Sequence, residues 1–210
     1  MSFAFVTRPL SEDLEMTLPA PEILEAGNHR VRITDGEERY ILINTKAGAE
    51  EKISFRVVVE VFGNGKCYVS CTADVFGRAA RVDIAIQATA HDSASVFVDQ
   101  RAIARASETN VFLCTNIVLK DSATSRARML VSVGASARGA EVREKLQQLM
   151  LSPLVRAMNV PELDIACADT VSSHVASLVP PDAHTLCYLR LRGLSEYDAR
   201  EAIAQAFSVL

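Results

Sequence analysis

Ile53-Ser54-Phe55-Arg56-Val57-Val58-Val59-Glu60-Val61, followed after one residue by Gly63-Asn64-Gly65, is the stretch that decides the fold. Successive side chains of a strand point to opposite faces. Ile53, Phe55, Val57, Val59 and Val61 therefore share one side, and Ser54, Arg56 and Glu60 lie on the other. The Gly-Asn-Gly step closes the strand with a turn. The pattern then returns: Cys67, Val69, Cys71, Ala73 and Val75 share a face. Ala80, Val82, Ile84, Ile86, Ala88 and Ala90 next oppose Arg81, Asp83, Gln87 and Thr89. Further strands are expected around Ala94–Ala106, Val111–Leu119 and Ala127–Val133, so that starts near 53, 67, 80, 94, 109 and 126 stay 13 to 17 residues apart.

Even spacing with period-2 alternation indicates an all-β array. On composition, a two-sheet sandwich stays open beside a coil of stacked strands. The inward residues are Ala, Val, Ile, Cys and Ser, and the chain has no Trp. Such small side chains suit the narrow interior of a coil and favour it. Residues 1–51, with Pro9, Pro19, Pro21, Gly27, Gly36 and Gly48, are expected to cap the first coil, with short strands at Arg30–Ile33 and Arg39–Ile43. The coil is expected over 52–179. Glu141–Met150 is ambiguous, because Val142, Leu146, Leu149 and Met150 have helical spacing. Residues 180–210 read as a helical tail. Pro180-Pro181 stops regular structure, Asp182 caps a helix ending at Gly193, and Ser195-Glu196-Tyr197-Asp198 opens a second one.

At 210 residues with 49% hydrophobic residues, the chain can bury a substantial core. A formal net charge of -4 provides no basic field for nucleic acid or an anionic membrane, and no apolar run approaches the roughly 20 residues that span a bilayer. Five cysteines without disulfide-framework spacing, and a start lacking the pattern of a secretory signal, fit reduced thiols in a cytoplasmic protein. Enzyme motifs fail on inspection. Gly65-Lys66 lacks the first glycine and the hydroxyl residue of a P-loop, with Glu60 and Cys67 at those places. Gly134-Ala135-Ser136-Ala137-Arg138 lacks the final glycine of a nucleophile elbow. Asp83, Asp92, Asp99 and Asp121 are too dispersed for a polysaccharide-cleaving β-helix. The chain is read as a non-enzyme.

Toward the end, Pro161, Asp169, Ser173-His174, Tyr188-Leu189, Arg192-Gly193, Ala199-Arg200 and Ala206-Phe207 stand in a fixed order. That order resembles the C-terminal signature of the SufB/SufD family, scaffold proteins of iron–sulfur cluster assembly, over about residues 80–207. The resemblance implies a right-handed parallel β-helix with a small C-terminal helical subdomain. It implies two partners, an ABC-type ATPase of the SufC kind and a second SufB/SufD-like subunit. It further implies a transient iron–sulfur cluster, with no nucleotide bound by this chain itself. The chain looks like a shortened member.

The resemblance singles out His174 as an interface residue and iron ligand, since imidazole can bind iron; a histidine satisfied by hydrogen bonds at a strand end is the plainer alternative. Val175 stands where family members carry an acidic residue or glycine. Cys167 and Cys187 flank His174 and reach it only if the chain between them folds back. Cys67 and Cys71 lie ~13 Å apart along one strand, too far to share a metal, and read as small buried hydrophobes. The cluster-building branch has a cysteine near Gln147-Gln148, so its absence makes the chain SufD-like. The alternative is a regulatory paralogue that docks the ATPase and builds no cluster. Docking of the ATPase is expected on the tail, through Tyr188, Arg190, Arg192, Gly193, Tyr197 and Arg200.

Overall fold

The computed structural model describes residues 17–208. In chain order the strands are β1 (Pro21–Ile23), β2 (Gly27–Ile33), β3 (Glu38–Ala47), β4 (Lys52–Val61), β5 (Lys66–Val75) and β6 (Arg81–Ala90). They continue as β7 (Ser95–Ala104), β8 (Asn110–Leu119), β9 (Thr124–Val133), β10 (Ala140–Met150), β11 (Arg156–Ile165) and β12 (Thr170–Val179). Two helices follow, α1 (Ala183–Leu191) and α2 (Glu196–Phe207). Odd-numbered strands form one sheet in the order β1-β3-β5-β7-β9-β11, and even-numbered strands form the other, β12-β10-β8-β6-β4-β2. Every pairing is parallel. The fold is a parallel β-helix with a small C-terminal helical subdomain, and not a sandwich of antiparallel sheets.

The register explains why the strand spacing was so even. Val82 sits beside Ile53 and Val111 beside Val82, so one coil of two strands takes 29 residues. Inward positions then stack in rows. Phe55, Ile84, Leu113, Glu144 and His174 form one such row across the even sheet. Small β-branched residues suit this geometry because each must fit between the copies above and below it. Val57, Val59, Val69, Val82, Ile84 and Ile86 are buried. Each such side chain contributes roughly 1.5–3 kcal/mol when withdrawn from water.

The corners supply what the strands cannot. One edge of the coil turns at left-handed residues Gly36, Gly63, Asp92 and Asp121, and the other at Glu50, Ala79, Glu108 and Gly139. Side chains bridge successive corners: the Asn64 amide donates to Asp35 Oδ1 at 2.8 Å, that of Gly63 to Asp92 Oδ2 at 3.0 Å, and that of Asp92 to Asp121 Oδ2 at 2.9 Å. The Gly63-Asn64-Gly65 step is thus a coil corner joining the two sheets, not a hairpin turn.

Two expectations change. The described part of the segment expected to cap the stack, 1–51, contributes β1, β2 and β3, which lie in the same two sheets as the later strands; its first 16 residues lie outside the described residues. Glu141–Met150 falls in a strand, β10. Its spacing imitates a helix because both faces are buried: Val142 and Leu146 point into the coil, while Leu149 lies in a separate apolar cluster with Ala204 of α2.

Candidate functional site

His174 lies in the middle of β12, the last strand of the even sheet, rather than at a strand end. Since the register puts it in an inward row, its ring turns toward the coil interior. There Nδ1 meets Oε2 of Glu144 at 2.6 Å. Glu144 is 2% exposed, and its second oxygen, Oε1, has no hydrogen-bond partner among the described residues. Burial pushes the Glu144 carboxyl above the usual range, while the His174 hydrogen bond acts against that shift. About a third of the His174 side chain remains exposed, because no strand of the described chain follows β12 in its sheet.

The coil therefore ends open. β11 and β12 are both edge strands, and Met158, Ile165, Val171, Val175 and Leu178 are exposed along them. Beneath this end, polar residues knit the last strands together. Gln148, fully buried, accepts a hydrogen bond from Ser125 and donates to Asn159 Oδ1 at 2.6 Å. Asn159 donates to the Ser177 carbonyl at 3.1 Å. The position near which a thiol is expected in cluster-building relatives is thus filled by an amide that holds three strands.

The cysteines do not gather around His174. Cys167 is buried at the start of the β11–β12 turn, and Thr170 Oγ1 donates to its carbonyl. From Thr170 to His174 the strand climbs ~13 Å. Cys187 is exposed on α1, past the other end of β12. Among the described residues, no group of three or more His, Cys, Asp or Glu side chains is arranged to hold a metal ion. Burial raises the Cys67 thiol to about 12 and pushes Cys71 and Cys114 up as well, so all three stay protonated as core residues.

The tail has two unequal helices. Asp182 caps α1 by accepting from the Thr185 amide at 2.8 Å, and Ser195 caps α2 by accepting from the Asp198 amide at 3.1 Å. Gly193, at φ +95°, makes the left-handed break between them. α2 is fastened to the body. Val118, Leu149, Leu151 and Ala204 form a small buried cluster, Lys120 pairs with Glu201 at 2.6 Å, and Arg200 donates to the Leu151 carbonyl at 2.7 Å. Arg200, expected to face a partner, is therefore turned toward the body. By contrast α1 buries none of its residues. Tyr188 and Leu191 are exposed, Arg192 stacks on the Tyr188 ring at 5.1 Å, and Arg190 lies 3.6 Å from Glu196. Tyr197 is exposed at the start of α2. No described helix is long and apolar enough to cross a membrane.

Glu144 escaped the sequence reading. A strand reading of Glu141–Met150, combined with the coil repeat, would have placed it beside His174.

Comparison with known proteins agrees with this architecture. Residues 26–207 match the family model described as the SufBD core domain of SUF-system FeS cluster assembly. Over 78 residues the chain is 35% identical to an iron-sulfur cluster assembly SufBD family protein of Synechocystis sp., covering 37% of this chain and 17% of that protein. The β-helix, the two capped helices and the match across most of the chain converge, and the protein belongs to the SufBD family of the SUF iron–sulfur cluster assembly system.

Proposed function

We propose that this chain is a SufD-type scaffold subunit that works in the cytoplasm, with a nascent iron–sulfur cluster as its cargo rather than a resident cofactor. It carries out no bond chemistry of its own. The open coil end meets a second SufB/SufD-like subunit, either another copy or a longer homologue. The observation that carries this reading is the pair of unpaired terminal strands, lined by exposed Val171, Val175 and Leu178, with His174 between them. An exposed edge of this length is a template for strand pairing, and a natural chain covers it. The partner supplies the iron ligands that the surroundings of His174 lack.

The ATPase, of the SufC kind, docks on α1. Its groove of Ala183, Leu186, Cys187, Arg190, Leu191 and Leu194 is apolar with one basic group, and nothing of α1 is used for packing the body. Closure of the ATPase is then passed through α2, which is fastened to β8 and β10, into the coil.

Co-purification with a SufC-type ATPase tests the docking. Tyr188→Ala combined with Leu191→Glu should abolish binding and leave the melting temperature unchanged, because neither residue is buried. Undiminished binding overturns the assignment. A second reading, a regulatory paralogue that docks the ATPase and builds nothing, is favoured by Gln148 standing near the expected thiol position. Anaerobic reconstitution of the complex with iron and sulfide separates the two readings, and the scaffold reading requires cluster formation that depends on His174.

A further inference from the structure

We propose that Glu144 is a positioning residue for His174: its buried carboxylate fixes the proton on Nδ1 and so presents Nε2, with its lone pair, at the open end of the coil. The inference deepens the scaffold reading and rests on His174 being a ligand.

Three observations carry it. Glu144 occupies a row whose other inward members are Phe55, Ile84 and Leu113, a place that the coil elsewhere fills with apolar side chains. It is 2% exposed, and its one side-chain partner among the described residues is the His174 ring at 2.6 Å. The ring itself is about one-third exposed on the edge strand β12. A carboxylate withdrawn from water is costly unless paired, and an apolar residue would fill the row without that cost. What the carboxylate adds is direction. An ionised carboxylate only accepts hydrogen bonds, so Nδ1 must be the donor, and a neutral imidazole has one protonated nitrogen and one free. The remaining nitrogen, Nε2, is then unprotonated and able to bind iron, the arrangement in which a histidine ligand gives its other N–H to a carboxylate.

The reverse arrangement, a carboxylic acid donating to Nδ1, puts the ring proton on Nε2 and blocks it. Two-bond 15N–1H correlation of ring-labelled full-length protein, at about pH 8 where imidazole is neutral, distinguishes them; His174→Gln assigns the signal among the four histidines. Expected is a wild-type His174 with the proton on Nδ1, a preference lost in Glu144→Leu, a variant that leaves no buried charge behind. In the anaerobically reconstituted complex, Glu144→Leu should lower cluster yield about tenfold or more. A proton on Nε2 in the wild type, an unchanged tautomer in Glu144→Leu, or an unchanged yield in that variant when His174→Gln abolishes it, each overturns the proposal. If His174→Gln leaves the yield intact while the tautomer result holds, the ligand role of His174 falls, and with it the purpose proposed for Glu144; the hydrogen-bond geometry would still stand.

Discussion

A single row of inward side chains crosses the even sheet, from Phe55 through Ile84 and Leu113 to Glu144 and His174, and its two ends are chemically different. The first end is closed on both sides by further strands. Its neighbours Val57, Val59, Val82 and Ile86 are fully buried and apolar. At the second end Glu144, Gln148 and Asn159 face inward, Glu144 Oε1 lacks a partner, and the edge is open. The same holds in the adjoining rows, where Thr115 donates to Gln100 at 2.7 Å within the coil. The backbone repeat is the same throughout, so folding alone does not require the change. Polar groups inside a coil cost stability wherever they are incompletely paired. Stability is therefore concentrated in the first half of the coil, and the chemistry in the last strands.

The sharpest way to break this division is to substitute along the row. Ile84→Ala removes a fully buried side chain between Phe55 and Leu113 and should cost about 3 kcal/mol, within the range for buried Ile→Ala changes. Glu144→Leu, two strands further along, should be neutral or stabilising, since a buried ion pair replaced by an apolar group often is. Urea unfolding of both variants measures the contrast. Equal losses at the two positions would show that the last strands are as tightly specified as the first.

A smaller effect is expected from His174→Ala. The ring contributes little apolar burial, but its removal strands the Glu144 carboxyl inside the coil. Leaving a buried acceptor unsatisfied costs about 1–3 kcal/mol. The sequence alone suggested that this substitution would spare the fold; the hydrogen bond to Glu144 predicts otherwise. Most of the loss should return in the Glu144→Leu, His174→Ala double variant. If the double variant is no more stable than His174→Ala, the two side chains are not coupled.

Much of the coil was legible because period-2 alternation is a local signal. The observed strands begin at 52, 66, 81, 95, 110 and 124, close to the positions read from Ile53, Cys67, Ala80 and their successors. The helix caps were legible for the same reason, as Asp182 and Ser195 act within three residues. What lay hidden depends on partners distant in sequence. Glu144 meets His174 across 30 residues, and Arg200 meets Leu151 across 49. Neither pairing follows from a motif. The inclusion of β2 and β3 in the sheets was hidden likewise, since it rests on neighbours one coil away. Corners were only half read: Gly63-Asn64-Gly65 announced a turn, but the left-handed positions at Ala79 and Glu108 carry residues with no turn signature.

Acid provides a further contrast between two buried carboxylates. Asp99, on the outer face of the odd sheet, is held by Arg101 at 2.8 Å and Arg128 at 3.0 Å. Burial raises its carboxyl, but the two guanidiniums prevail and hold it below the usual range. A depressed pKa contributes stability that is present above the unfolded value of about 3.9 and is lost as pH falls through the folded value. Asp99→Asn should therefore be less stable than wild type at neutral pH, and the gap should close below about pH 4. Denaturant midpoints measured from pH 7 to pH 3 check this. A gap that stays constant through that range would mean that Asp99 contributes shape rather than charge.

The smallest expected effect lies at a corner, where both halves of the coil share one backbone conformation. Ala79 sits at φ 55°, on the edge where Gly139 holds the equivalent turn later in the coil. Left-handed backbone costs an alanine roughly 1–2 kcal/mol because its Cβ crowds the following carbonyl. Glycine avoids that crowding but gives the unfolded chain more freedom, a loss of about 0.4–1 kcal/mol. The difference favours Ala79→Gly by about 0.5 kcal/mol. Since the corner lies outside the inward rows, the gain should be the same in wild type and in Glu144→Leu, and thermal unfolding of the four combinations tests that additivity. Should the corner and Glu144 prove coupled, the separation of a stabilising scaffold from a polar working end would have to be redrawn around the corners as well.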